Sequence, residues 1–395
     1  MRTTRIKLVA ALFAAIALAS CSKDDDGVPM SILTIKASIA ENAEKIAIDL
    51  LEFSVEATNS TTGKKYTTVT DANGQATLSV EEGIYNIKVE ANREIPYQGK
   101  TPVRGLVENR TIKGKEVAVD VSLTISKPSS GWVFKELYFT GSKTPKGSLY
   151  YKDKYFELYN NSNQVLYADG ISLCETSHMT VSSENPWASY ITKGVVVQTI
   201  YTIPGSGMKY PVEPGTSIIL ADIGIDHTIE NANSVNLSSA DFEWYDNHSL
   251  DVDVPEVENL IKTYSNSLTI WTPHNRGFKS YFIFRQEESM DEFLTKNKVT
   301  FTNPNGSSGV AYLIPNSTIL DAVEVSTPSD FASKAFATEL DAGWTHAGDA
   351  NEARFGKCVR RKIEKKEGNR VIYKDTNNST EDFENTVTPK PRIYE

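Results

Sequence analysis

Thr67-Thr68-Val69-Thr70-Asp71-Ala72-Asn73-Gly74-Gln75-Ala76-Thr77-Leu78-Ser79-Val80, followed at once by Glu81-Glu82-Gly83-Ile84-Tyr85-Asn86-Ile87-Lys88-Val89-Glu90, carries the plainest structural signal in the chain. Ala76, Leu78 and Val80 alternate with Thr77 and Ser79, and Tyr85, Ile87 and Val89 alternate with Asn86, Lys88 and Glu90. A period of two predicts strands with one face buried. Asp71-Ala72-Asn73-Gly74 and Glu81-Glu82-Gly83 fall between them, where Asn and Gly tolerate positive φ. Val117, Val119, Val121, Leu123 and Ile125 repeat the alternation downstream. Residues 31–126 are therefore expected to form an all-β unit.

The Thr-rich strand, the Asp-x-x-Gly turn, the apolar strand and the Gly83-Ile84-Tyr85 start resemble the carboxypeptidase-regulatory-like, transthyretin-type β-sandwich. The resemblance implies an immunoglobulin-like topology and a spacer or docking role; it implies no chemistry. Lys127-Pro128-Ser129-Ser130-Gly131 reads as a linker, since Pro and Gly interrupt strands.

Beyond the linker, Trp132-Val133-Phe134-Lys135-Glu136-Leu137-Tyr138 opens a second unit spanning residues 132–395. Tyr155-Phe156-Glu157-Leu158-Tyr159-Asn160-Asn161-Ser162 follows, and Val371-Ile372-Tyr373-Lys374-Asp375-Thr376-Asn377-Asn378-Ser379-Thr380-Glu381-Asp382-Phe383 stands near the end. These blocks are similar to the lamin-tail domain, an immunoglobulin-like β-sandwich, and imply that fold. Residues 163–370 separate the second block from the third, so long insertions are expected, at residues 176–260 and 285–345. Helix is sparse: Asp330–Leu340, with Phe331, Ala335, Phe336 and Leu340 on one face, and more weakly Glu287–Lys296. The expected class is all-β, two β-sandwich domains with one or two short helices.

The N-terminus carries an address. Arg2, Arg5 and Lys7 precede an unbroken apolar run, Leu8 to Leu18, too short to cross a bilayer and suited to a signal peptide. Leu18-Ala19-Ser20-Cys21 resembles the lipobox of bacterial lipoproteins, which implies cleavage after residue 20 and lipidation of Cys21. Residues 21–30 then form a polar tether, and Ser22-Lys23-Asp24-Asp25-Asp26 resembles the surface-export signal of Bacteroidota lipoproteins. The expected location is the outer membrane, lipid-anchored and facing outward. The whole layout resembles an uncharacterised Bacteroidota lipoprotein family.

Composition sets the remaining bounds. The chain has 395 residues, with 51 acidic against 41 basic side chains and 39% apolar residues. That is enough to build cores, and the acidic balance argues against nucleic acid as a partner. Catalytic grammar is absent: no Gly-x-Ser-x-Gly, no phosphate-binding Gly loop, no His-Glu-x-x-His and no Cys-x-x-Cys occurs. His178, His227, His248, His274 and His346 are too scattered to suggest a metal site. No catalytic residue, cofactor or metal is expected. Asp375–Asp382 has oxygen ligands in the manner of a calcium loop, yet a turn capped by its own side chains explains it better.

Asp241-Phe242-Glu243-Trp244-Tyr245-Asp246-Asn247-His248, followed by Asp251, Asp253, Glu256 and Glu258, looks most like a site. Trp187, Trp244, Tyr245 and Trp271, with Thr272-Pro273-His274, are the candidate ligand contacts, because aromatic loops beside carboxylates suit sugars or cations. The competing reading makes these aromatics a satellite core. Cys174 and Cys358 could pair in an oxidising envelope or stay as free buried thiols. The sequence thus points to a non-catalytic binding, adhesion or scaffold module accessory to nutrient uptake. Its partners would be the membrane, through the N-terminal lipid, and a glycan, a protein or an outer-membrane transporter. An envelope hydrolase with an unrecognised site is the alternative.

Overall fold

A computed structural model describes residues 28–40, 48–95, 99–125, 131–286, 288–302 and 308–394. The expectations for the signal peptide, for Cys21, for the tether up to residue 27 and for linker residues 127–130 lie outside the described residues.

The alternation at the N-terminus folds as it reads. Seven strands run in the order Lys65–Val69, Ser54–Asn59, Gly83–Ile95, Gly99–Ile112, Glu116–Ile125, Met30–Ile39 and Gln75–Glu81. Leu78, Val80, Tyr85, Ile87, Val89, Val119, Val121 and Leu123 all turn into one core. The Asp71 turn is built by its own side chain, whose Oδ1 accepts from Asn73 N at 2.9 Å and Gln75 N at 2.8 Å. Gly74 sits at φ +73°, where a Cβ would lie 2.4 Å from the Ala37 carbonyl oxygen, so only glycine closes this turn.

The second unit is a thirteen-stranded sheet folded around an aromatic core. Its path runs through Ile319–Val323, Tyr281–Phe284, Ser172–Thr176, Gly194–Thr202, Glu258–Ser265, Phe242–Trp244, Ser217–Ala221, Tyr155–Asn160, Trp132–Tyr138, Cys358–Arg361 and Phe383–Val387. Lys298–Thr302 and Ser308–Pro315 form a hairpin that branches from Gly194–Thr202. A side-chain clasp ties the start of the path to its far half. Phe134 N donates to Asp321 Oδ2 at 2.6 Å, and Arg361 donates to Asp321 at 2.6 Å and to the Phe134 carbonyl at 2.8 Å.

The segments expected as insertions are part of the sheet itself. Residues 176–260 supply Gly194–Thr202, Ser217–Ala221 and Phe242–Trp244, and residues 285–345 supply Ile319–Val323 and the branching hairpin. Every residue of Ser217–Ala221 is buried, so its apolar run carries no alternation to announce a strand.

The expected helix at Asp330–Leu340 is absent: the segment is turns and extended chain. Distant acceptors capture its amides. Thr180 O takes Ala332 N and Ser333 N, and the Glu324 carboxylate takes Ala335 N at 2.9 Å and Phe336 N at 3.1 Å. Phe336 and Leu340 are still buried, so the apolar spacing marks core positions without a helix. The weaker helix exists as Met290–Lys296, capped by Ser289.

Cys174 and Cys358 are free thiols, which removes the disulfide. Cys174 packs with Val195 and Phe282, and Cys358 packs with Tyr138 and Tyr155 in a separate cluster.

Candidate functional site

Three strands lie side by side and parallel, Ser217–Ala221 to Phe242–Trp244 to Glu258–Ser265. Parallel neighbours send the chain out at the same end. Tyr155–Asn160 pairs antiparallel with Ser217–Ala221, with Tyr155 opposite Ala221, so the chain before Tyr155 enters at that end as well. Residues 151–154, 222–223, 250–251 and 270–275 thereby enclose a cleft of about 490 Å³.

Lys154 and Asp222 dominate its chemistry. Asp222 N donates to the Lys154 carbonyl at 2.9 Å, which fixes the two residues side by side. Lys154 is 1% exposed, and its ammonium donates to Thr272 Oγ1 and to Pro273 O at 3.2 Å. Burial pushes that ammonium down to about 8, against the pull of Asp222 and Asp153. The Asp222 carboxyl stands well above the usual carboxylate range because it is desolvated, with Lys154 opposing and Asp251 reinforcing the shift. No side chain or amide among the described residues bonds to the Asp222 carboxylate.

The surrounding loops are held by acids, Glu243 and Glu175 buried and Asp251 half-buried. Glu243 accepts from Gly224 N at 3.0 Å and Val254 N at 2.7 Å, joining two of the loops, and burial lifts it to about 7. Asp251 accepts from Asp246 N at 2.6 Å and Val252 N at 2.9 Å. Glu175 takes Trp271 Nε1 at 3.1 Å, His274 N at 2.9 Å and the Tyr281 hydroxyl at 3.1 Å, anchoring the fourth loop. His274 lines the cleft, and burial with cationic neighbours holds it down at about 4, so it is neutral near pH 7.

The aromatic candidates fall elsewhere. Trp244 is 1% exposed and Trp271 is 4% exposed, and their rings meet edge to face at 5.1 Å in the main core. They form the packing beneath the cleft and present no face to a ligand. Tyr245 is half-buried and does not line the cleft. Trp187 is half-buried and packs edge-on against Phe301 at 5.3 Å, beside a separate cavity of only about 10 Å³. The run from Asp241 to Asp253 does reach the cleft, through Leu250 and Asp251, and Thr272, Pro273 and His274 line it too. Lys154, Asp222 and Tyr151 were not legible as site residues. The one signal is positional: Lys154 precedes an apolar strand and Asp222 follows one.

The Asp375–Asp382 loop is closed by protein groups. Asp382 accepts from Thr376 N at 2.8 Å, Thr376 Oγ1 at 2.7 Å and Asn378 N at 3.2 Å. The Arg361 guanidinium pairs with both Asp375 and Asp382, so a fixed cation of the chain neutralises the acids of this turn. Among the described residues no group of three or more His, Cys, Asp or Glu could hold a metal ion.

Residues 213–390 match a family described as a protein of unknown function, DUF4876. The chain is similar to the crystal structure of a DUF4876 family protein from Bacteroides thetaiotaomicron, with a TM-score of 0.60 and 24% identity, covering 91% of this chain and 96% of that one. That likeness bears on the fold, which the two share along most of their length. A DUF3823 family protein from Parabacteroides merdae is a slighter match, with a TM-score of 0.18 and 11% identity over 49% of this chain and 81% of that one. No curated protein matches the chain. The chain is thus an all-β protein similar to an uncharacterised family represented in Bacteroides.

Proposed function

We propose that this protein is a surface-displayed outer-membrane lipoprotein that captures a ligand in its loop-end cleft, without catalysis, in support of nutrient uptake. Lipid on Cys21 moors it, the N-terminal sandwich spaces it from the membrane, and the second unit carries the cleft. One observation carries the binding reading: four loops enclose a largely apolar cleft in which, among the described residues, no hydrogen bond or ion pair reaches the Asp222 carboxyl group. A pre-formed, partly apolar cleft with a few convergent polar groups is what small-ligand sites look like.

The hydrolase reading draws on two carboxyls raised by burial at one cleft, Asp222 and Asp251. It is weaker because both Asp251 oxygens hold backbone amides of their own loop. Lys154 spends two of its three donors on Thr272 and Pro273. Beside Asp222 the neutral His274 imidazole, whose Nδ1 takes the Phe278 amide at 3.4 Å, is the group that could act as a base, and recovery of the ligand unaltered decides against it.

Equilibrium dialysis of the mature protein against fractionated culture medium, read by mass spectrometry, tests the capture. A compound retained by the wild type, lost from Leu250→Trp and recovered unaltered is the expected result. Recovery of a cleaved product would overturn the non-catalytic reading. Palmitate labelling that misses Cys21, or full protection from protease on intact cells, would overturn the mooring or the outward display.

A further inference from the structure

We propose that the ligand of the loop-end cleft is a neutral polyhydroxyl compound, a sugar ring or short chain of rings, whose hydroxyl groups bridge Lys154 and Asp222. This rests on the cleft being a capture site and names the class of what it captures.

The polar end of the cleft is mixed in sign. Lys152 and Lys154 stand against Asp222 and Asp251. A cationic ligand drawn to the acids meets two lysines, and an anionic ligand drawn to the lysines meets two carboxylates. Neither sign gains a net attraction, and each must shed its hydration to enter.

The hydrogen-bond inventory is more selective than the charge. An ammonium has three donors, and Lys154 commits two of them, to Thr272 Oγ1 and the Pro273 carbonyl. The Asp222 carboxyl group receives none from the described residues, and no ion pair of 4 Å or less joins it to Lys154 although the two attract. A Lys154 ammonium with one donor outside its hydrogen bonds, lying 5.2 Å from the Tyr151 ring centroid, and the Asp222 carboxyl group thus line the same cleft more than 4 Å apart. A group that accepts from the first and donates to the second fits there, and a hydroxyl does both through one atom. A vicinal diol does so with two hydrogen bonds to the carboxylate.

The remaining walls match the rest of such a molecule. Ile223, Leu250, Ile270 and Pro273 offer aliphatic surface for the C–H face of a ring. Leu250 at the mouth is 66% exposed, an apolar side chain left to water in the absence of a ligand. The volume of about 490 Å³ holds one or two rings.

The test is ligand-observed saturation-transfer NMR with calorimetry on the mature chain, residues 21–395, against four kinds of probe. These are neutral mono- and disaccharides (glucose, galactose, mannose and N-acetylglucosamine series), putrescine as cation, citrate as anion and leucine as zwitterion. We expect at least one neutral saccharide to bind. Asp222→Asn, which exchanges one of two acceptor oxygens for an NH2 group, should weaken it tenfold or more. Leu250→Trp, which fills the mouth and leaves the charges in place, should abolish binding with the melting temperature unchanged. Binding of putrescine, citrate or leucine alone, blocked by Leu250→Trp, overturns the polyhydroxyl class while the capture site stands. Silence from all four classes overturns both. Saccharide binding that neither variant alters places the sugar elsewhere and overturns the bridge between Lys154 and Asp222.

Discussion

Two rings meet Trp244, Phe156 at 5.9 Å and Trp271 at 5.1 Å, and Tyr201 lies tilted against Trp271 at 5.3 Å. Its indole N–H has no acceptor among the described residues, so the side chain contributes through its carbon surface alone. Two substitutions separate these effects. Trp244→Ala should cost about 3–5 kcal/mol by opening a cavity in the core. Trp244→Phe keeps most of the packing and removes an unsatisfied donor, so its cost should stay near 1–2 kcal/mol. Urea denaturation of both variants checks this, and a Trp244→Ala protein as stable as the wild type would show that the ring is not part of the core. The same reasoning applies to Glu157 of the Phe-x-Glu-Leu-Tyr-Asn block. It is fully buried, pairs with Lys135 at 2.7 Å and receives the Ser217 hydroxyl at 2.6 Å. A motif acid that looks chemical in sequence is here a packing partner, satisfied from two sides.

Among the elements, the turn at Asp71–Gly74 is the most exacting. Gly74→Ala places a methyl 2.4 Å from the Ala37 carbonyl at a positive φ. Backbone must move, and the N-terminal unit should lose about 2–3 kcal/mol. Gly63 has nearly the same φ, +71°, with nothing within 4 Å of its would-be Cβ. Gly63→Ala should therefore cost only about 1 kcal/mol, the conformational part alone. Equal losses in thermal unfolding of the two variants would defeat the steric account. This contrast also explains what was legible. The N-terminal strands bury one face each, so Leu78, Val80, Ile87 and Val89 alternate with polar residues and spell out their pairing. Central strands of the second unit bury both faces, and Ile218, Ile219, Leu220 and Ala221 read as an undivided apolar run. Phe336 and Leu340 kept helical spacing while Glu324 and Thr180 claimed the amides around them, a contest invisible to local pattern. The cleft was half visible for the same reason. Asp251 and Thr272–His274 belong to runs rich in aromatic and acidic residues, whereas Lys154 and Asp222 meet only through the register of Tyr155 opposite Ala221.

At the scale of the whole molecule, the two units touch through the Asp375–Asp382 turn. Lys88 of the N-terminal sheet pairs with Glu381 at 3.0 Å, and the Arg104 guanidinium donates to the Thr376 carbonyl. The second unit holds two kinds of buried titrating group, and they set opposite limbs of its stability curve. His178 is buried beside Lys279 and is held down at about 4, so the folded state refuses a proton that the unfolded chain accepts near 6.5. Its contribution is complete above 6.5 and is lost as pH falls through 4. Glu243 is the reverse case. Burial raises it to about 7, so the folded state keeps a proton that the unfolded chain releases near 4.5. Its contribution is complete below 4.5 and is lost as pH rises through 7. Each limb is worth roughly 3 kcal/mol at most, taking 1.36 kcal/mol per pH unit of displacement. The two limbs overlap between 4.5 and 6.5, where the rising and the falling contribution cancel, so the pair gives a plateau there with a loss of less than about 1 kcal/mol on either side, below 4.5 and above 6.5. Urea midpoints measured from pH 4 to pH 8 test the curve, and two variants assign it. His178→Gln should expose the Glu243 limb alone, with stability falling from pH 4.5 to 7. Glu243→Gln should expose the His178 limb alone, rising from pH 4 to 6.5 and level above it, while lowering the whole curve, because one of the amides of Gly224 and Val254 loses its acceptor. If the alkaline limb keeps its slope in Glu243→Gln, the proton is held elsewhere, and the acid that joins two of the cleft's loops is ionised in the folded state.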